Sequence, residues 1–219
     1  MFAFGNGIPL RLGNIDNDGY NTIMLKKNLK AQYAFWIQLK VNKEQSLGKR
    51  IKDMPDEWFI EPTDEEMKNS MCAAAGVFTC NRLMDALEFK KAEALMEKYL
   101  NMDTAMVGIH RRLLICDRMY CELIGENRPE KLEEMLDKKQ KDFMKSMNIF
   151  PTVIRTEYVH ALLTEMNQKK VEKLRKKFEK VARTYPYQTD IENQRELMEI
   201  AEDIATQQRD YILNKAGRI

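Results

Sequence analysis

The sequence predicts an all-α protein, and three observations carry the prediction. Lys, Glu, Leu, Met and Ala dominate, while glycine and proline number only nine and six in 219 residues, so most of the chain consists of strong helix formers. Apolar residues recur at spacings of three and four over long stretches, which gathers them on one side of a helix. Helix-start signals recur as well, with Asn, Asp or Thr ahead of a periodic run or proline in its first turn. A hydrophobic share of 44% can fill a core, and 36 basic against 34 acidic residues leave a net charge of +2, which gives no electrostatic case for a nucleic-acid partner. With no apolar run of about 18 to 20 residues and no export signal, the expectation is a soluble, cytoplasmic chain.

Two segments are expected. Residues 1–62 comprise an irregular opening, an aromatic helix and a linker; residues 63–219 form a helical-repeat domain. The opening twenty residues are rich in Gly, Asn and Asp, a composition of turns. Asp18 or Asn21 can cap a short helix to about Lys27, and Asn28 a longer one from Leu29 to Leu47 that Gly48 stops. In that helix Leu29, Tyr33, Trp36, Ile37, Lys40, Val41 and Glu44 follow a 3.6-residue period, so this aromatic stripe is the expected packing face. Pro55 and Pro62 flank Asp56–Phe59 and forbid a helix there, leaving a linker that Trp58 and Phe59 fasten to its neighbours.

From Thr63 the pattern is regular. Thr63-Asp-Glu-Glu66 has capping-box spacing, so a helix is expected from Asp64 to about Met84, and its Cys72–Gly76 run is small enough for another helix to approach closely. Further helices are expected from Glu88 to Leu100, from Asp103 or Thr104 to Gly125, from Pro129 to Met147, from Pro151 to Met166, from Lys169 to Thr184, and from Thr189 or Asp190 to Leu213. Alternate helices begin at intervals of roughly 40 to 47 residues, a loose period of helix pairs. The segment Cys80–Met96 resembles one tetratricopeptide hairpin in its placing of Leu83, Phe89 and Ala92. The expected architecture is therefore antiparallel helix pairs stacked as a degenerate tetratricopeptide-like α-solenoid. Its concave face would receive a protein or peptide partner.

Candidate chemistry is sparse. Cys72, Cys80, Cys116 and Cys121 include no Cys-x-x-Cys pair, which predicts buried reduced thiols and no zinc site. His110 and His160 lack a second histidine at ligand spacing. The helix Lys169 to Thr184 buries Val171, Leu174, Phe178 and Val181 beneath an outer face carrying Lys169, Lys173, Lys176, Lys177 and Lys180, which can stay solvated or lie on an anionic membrane surface.

Asn6-Gly-Ile-Pro9, followed by Asp18-Gly19, resembles the Asn-x-x-Pro…Asp-Gly motif of the site-2 protease family of membrane zinc metallopeptidases. The runs Ala34–Asn42 and Asp53–Phe59 also look like the soluble tail of bacterial members. The resemblance implies Asp18 as a zinc ligand and Asn6 and Pro9 as cleft residues of a longer parent. This chain has no His-Glu-x-x-His, and one aspartate cannot hold a catalytic metal. The expectation is thus an interaction or regulatory region, catalytically inert and cofactor-free by itself and membrane-proximal in its parent. The alternative is a free-standing tetratricopeptide-like adaptor.

Overall fold

A computed structural model of the chain describes residues 11–12, 15–16 and 28–216. Among the described residues the protein is helical apart from a minimal antiparallel ladder, β1 (Arg11–Leu12) and β2 (Ile15–Asp16), which pairs Arg11 with Asp16 and Leu12 with Ile15. The short helix expected to end near Lys27 lies outside the described residues. The chain divides into two compact units, one ending at Leu114 and the other beginning at Ile115, with the boundary inside a helix.

The first unit begins with α1 (Leu29–Ser46), where Asn28 Oδ1 accepts the Ala31 N–H at 3.1 Å and so satisfies one free donor of the first turn. The buried face of α1 matches the expected stripe at Ile37 and Val41 but not at its aromatic members. Ala31, Ala34, Ile37, Val41 and Gln45 face inward, whereas Leu29, Tyr33 and Trp36 stay exposed. Two overlapping periodic stripes compete on this helix. The alanine-bearing one faces inward because Ala31 and Ala34 pack against Cys72, a close approach that ring-sized side chains would prevent.

After α1 the chain forms an irregular strap of short 3-10 turns at Ile51–Asp53 and Asp56–Trp58. Ile51, Met54 and Phe59 point from the strap into a core with Ile37 and Val41, and Trp58 and Phe78 pack at its edge. Two side chains of α2 (Ser70–Asp85) hold the strap. The Asp85 carboxylate, buried at the end of that helix, accepts from Arg50 Nε at 2.9 Å, Arg50 Nη2 at 2.5 Å and the Lys52 N–H at 2.9 Å. Arg82 bonds Asp56, reaches the Lys52 carbonyl at 3.4 Å and lies 5.1 Å from the centre of the Phe59 ring.

The capping box forms, with the Thr63 N–H donating to Glu66 Oε2 at 2.8 Å and the Glu66 N–H to Thr63 Oγ1 at 3.3 Å. It closes only the 3-10 turn Glu66–Lys68, not the long helix expected from Asp64. Asn69 is extended and starts α2 with a cap of its own, accepting from the N–H groups of Met71 and Cys72 at 2.9 and 3.3 Å. The break seats Met67, fully buried, beside Gly76. A Leu87 in the left-handed region, with the Glu88 N–H bonded to the Leu83 carbonyl at 2.9 Å, turns the chain into α3 (Phe89–Asn101). Of the inner face that the periodicity predicts, Ala92, Met96 and Tyr99 are buried and Phe89 is half-buried. The small residues of α2 admit neighbours on two sides: Cys72 and Ala75 meet α1, and Gly76 leaves room for Tyr99 of α3 and for Met67.

Then α4 (Gly108–Ile124) starts later than Thr104, because the Ala105 N–H is given to the Met67 carbonyl at 2.9 Å instead of to a helical turn. In the second unit the helix expected from Pro129 to Met147 is two, α5 (Pro129–Met135) and α6 (Lys138–Ser146), because Asp137 turns extended and caps afresh with its Oδ1 on the Gln140 N–H at 2.6 Å. That restart aims buried Gln140 at Cys116 Sγ, 3.2 Å away.

There follow α7 (Pro151–Leu163), α8 (Gln168–Ala182) and α9 (Gln188–Ala216), with α7 packed on both others. The centre of this unit is polar. Arg155, with no exposed surface, donates to Asp117 Oδ1 at 2.6 Å and lies 4.5 Å from the Tyr120 ring centre. Tyr120 donates to the Leu197 carbonyl at 2.9 Å. Burial raises the Asp117 pKa, and the Arg155 guanidinium opposes that rise.

A side chain at Gly76 would place its Cβ 3.1 Å from Met67 Sδ and from Tyr99 Cε2. Gly76→Val should therefore lower the unfolding free energy by about 1–3 kcal/mol in urea titration, as overpacking does. Asp85→Ala removes the buried acceptor of three strap donors and should lower it by about 3–5 kcal/mol, the range for a buried ion pair stripped of one partner.

Candidate functional site

The inward turn of the alanine stripe leaves an aromatic surface on the first unit. Tyr33 and Trp36 of α1, each 45% exposed, stack with ring centres 5.8 Å apart, and Trp58 meets Trp36 edge-on at 6.5 Å. Leu39 lies about one turn beyond Phe35 and Trp36, and all three are exposed. Tyr33 donates to the Glu57 carbonyl at 3.3 Å, tying helix and strap together at this edge. Between them is a hollow of about 90 Å³, whose lining includes Tyr33, Ile37, Trp58, Ile60, Glu57 and Glu61. Ile60 is 68% exposed.

The carboxylates at this hollow differ in their engagement. Glu66 is committed: the Thr63 backbone N–H, the first cause, and Lys30, 3.5 Å away, keep its pKa below the ordinary range. Among the described residues Glu61 pairs with Lys98 alone, at 3.9 Å, with both side chains about half exposed. Among the described residues nothing engages the Glu57 carboxylate.

A second, larger cleft of about 490 Å³ lies on the same unit between the strap, α2 and α3. Phe59, Leu83 and Leu95 line it together with Arg82, Lys91 and Lys98. Its cations already have anions: Asp56 for Arg82, Glu88 for Lys91, and Glu61 and Asp64 for Lys98. The cleft is electrostatically balanced and selects neither sign of charge.

The residues expected from sequence fall as follows. Asn6, Pro9 and Asp18 lie outside the described residues. On α8, Lys169, Lys173, Lys176 and Lys180 are exposed at successive spacings of four, three and four and so share one outer face, with Lys177 half-buried beside it. Val171, Leu174 and Phe178 are buried beneath as expected, whereas Val181 is half-buried and Ala182 takes the inner place at the end of the stripe. His110 is partly buried with Nδ1 unpartnered, and His160 Nδ1 lies 3.1 Å from Glu165, which Lys170 also binds at 2.7 Å. All four cysteines are free and buried, and burial raises the Cys72 thiol and pushes Cys116 up to about 12. Among the described residues no group of three or more His, Cys, Asp or Glu side chains is arranged to hold a metal ion. No described helix is long and apolar enough to cross a membrane.

Sequence reasoning missed Glu57 and Glu61 as site residues. Their signal was present: from Asp53 to Glu66 there are seven carboxylates and no Lys or Arg, interleaved with Trp58, Phe59 and Ile60. Compared with known proteins, the chain matches no family model, no curated protein and no solved structure.

Burial lowers the His110 pKa below its ordinary 6.5, so the folded protein holds it neutral. The unfolded chain takes up that proton first as pH falls. The contribution of His110 is thus fully present above about pH 6.5 and is lost below it, toward the lower folded value. Urea unfolding at about pH 7.5 and about pH 5.5 should show a smaller loss of stability for His110→Phe than for the parent.

Proposed function

We propose that this chain is a protein-interaction module whose contact surface is the aromatic face formed by α1 and the strap of the first unit. The reading is supported above all by one observation: Tyr33, Trp36, Trp58 and Ile60 form a continuous, partly exposed apolar surface beside a hollow, while the same helix buries alanines. Large aromatics are the side chains that dominate binding energy at interfaces, and an exposed aromatic cluster rimmed by charge is a surface awaiting a partner. In this unit α1 rests on α2 and α2 on α3, with a short turn joining the last two, which is the kind of hairpin packing from which a tetratricopeptide-like module is built. The partner is a peptide or protein segment laid across α1 and the strap, with its apolar side chains against the two tryptophans.

Trp36→Ala with Ile60→Ala tests this directly. Because both side chains are exposed, the double variant should keep its stability to within about 1 kcal/mol. In the native host, a photo-cross-linking residue at position 36 should give a discrete adduct that a residue at the outer position Lys173 does not, and Ile60→Ala should weaken that adduct. Equal, diffuse labelling at both positions would count against the proposal.

A further inference from the structure

We propose that the hollow beside Tyr33 and Trp58 takes a basic side chain, arginine or lysine, so that the partner is a peptide carrying both cationic and apolar residues. This rests on the reading of the aromatic face as the contact surface and specifies its chemistry. Two features of the hollow choose the occupant.

The first is charge. Glu57, Glu61 and Glu66 line the hollow against a single cation, Lys30, which pairs with Glu66 at 3.5 Å; Glu61 has only a shared, half-exposed contact with Lys98 at 3.9 Å, and the strap around them, residues 53–66, carries seven carboxylates and no Lys or Arg. With three carboxylates to one lysine in its lining, the hollow has a net negative rim that favours a positive group and disfavours an acidic one. The larger cleft offers no such bias, since each of its cations has an anion of its own.

The second is shape and surface. At about 90 Å³ the hollow is on the scale of a single side chain. Its walls are aromatic and aliphatic, from Tyr33, Trp58, Ile37 and Ile60, while Glu57 and Glu61 are exposed at the rim. Arginine and lysine match that division: an apolar stem buries against the wall and the charged end stays with the carboxylates and water. A cation near the Trp58 and Tyr33 rings gains further attraction from their negative faces. Lys40, 5.1 Å from the centre of the Trp36 ring, already shows this pairing on the same face. The flanking Trp36 and Leu39 would meet the partner's apolar residues.

Three fluorescein-labelled twelve-residue peptides test this, sharing one helical leucine pattern and differing only in the remaining positions: arginine and lysine in the first, glutamine in the second, glutamate in the third. Fluorescence anisotropy with the full chain should show saturable binding of the basic peptide, weakened by salt, and weaker or no binding of the other two. Glu57→Lys with Glu61→Lys, both on exposed side chains, should reduce affinity for the basic peptide roughly tenfold or more, and Glu57→Gln with Glu61→Gln should fall between. Glutamine and basic peptides binding equally, or charge reversal without effect, would overturn the assignment of a basic occupant. If the glutamine or glutamate peptide binds best and Trp36→Ala abolishes it, the basic occupant is wrong and the contact surface stands. Failure of all three peptides to bind would sink both.

Discussion

The buried Asp85 carboxylate is the constraint on which the candidate surface depends. It sits at the C-terminal end of α2, where a negative charge is disfavoured by the helix dipole, and it is held there by three donors from the strap: two from the Arg50 guanidinium and one from the Lys52 backbone. A charge inside a protein is tolerated only when its hydrogen bonds are filled, so the carboxylate and the strap require each other. Arg82 adds a second tether one turn away through Asp56 and the Lys52 carbonyl. These bonds fix the strap so that Ile51, Met54 and Phe59 point into the core while Ile60 remains outside and Trp58 lies at the edge. Without Asp85 the strap would keep the Arg82 tether and its apolar anchors, and the wall it gives the hollow would be less firmly held.

The exposed aromatics follow from packing on the other side of α1. Ala31 and Ala34 against Cys72 bring α1 onto α2 too closely for a larger residue to intervene, so the rings of Tyr33 and Trp36 are left at the flank. Gly76 does the same for Tyr99 on a different side of α2. A helix of small residues thus organises the unit: its neighbours come close, their small faces are consumed, and their aromatic faces remain. Each large ring left partly in water is apolar area that association could cover, and the negative strap beside it would govern which partner does so.

Much of this architecture was legible in sequence, and its gaps have specific physical causes. The all-α class, the Asn28 cap and the buried stripe of α8 were readable because propensity, capping and periodicity agreed there. The close approach at Cys72–Gly76 was readable from bulk alone. The inward face of α1 was not, since two stripes with the same period overlap and only the dimensions of α2 choose between them. The capping box at Thr63 was real but closed a single turn, because Met67 had to reach the core. The split at Asp137 depended on a buried amide meeting Cys116, a tertiary demand invisible to local pattern. Glu57 and Glu61 lay in a run of carboxylates that reads as ordinary solvation until the fold shows which of them have partners.

The two tryptophans of the chain, Trp36 and Trp58, both lie on the proposed contact face, so intrinsic fluorescence reports on that face alone. The most direct measurement is acrylamide quenching of their emission in the full chain, before and after saturation with an unlabelled basic, leucine-patterned peptide. The account predicts a blue-shifted emission and reduced quenching in the presence of peptide, because both rings lose water. Binding of the peptide with unchanged emission and unchanged quenching would contradict it, since the contact would then lie elsewhere on the protein.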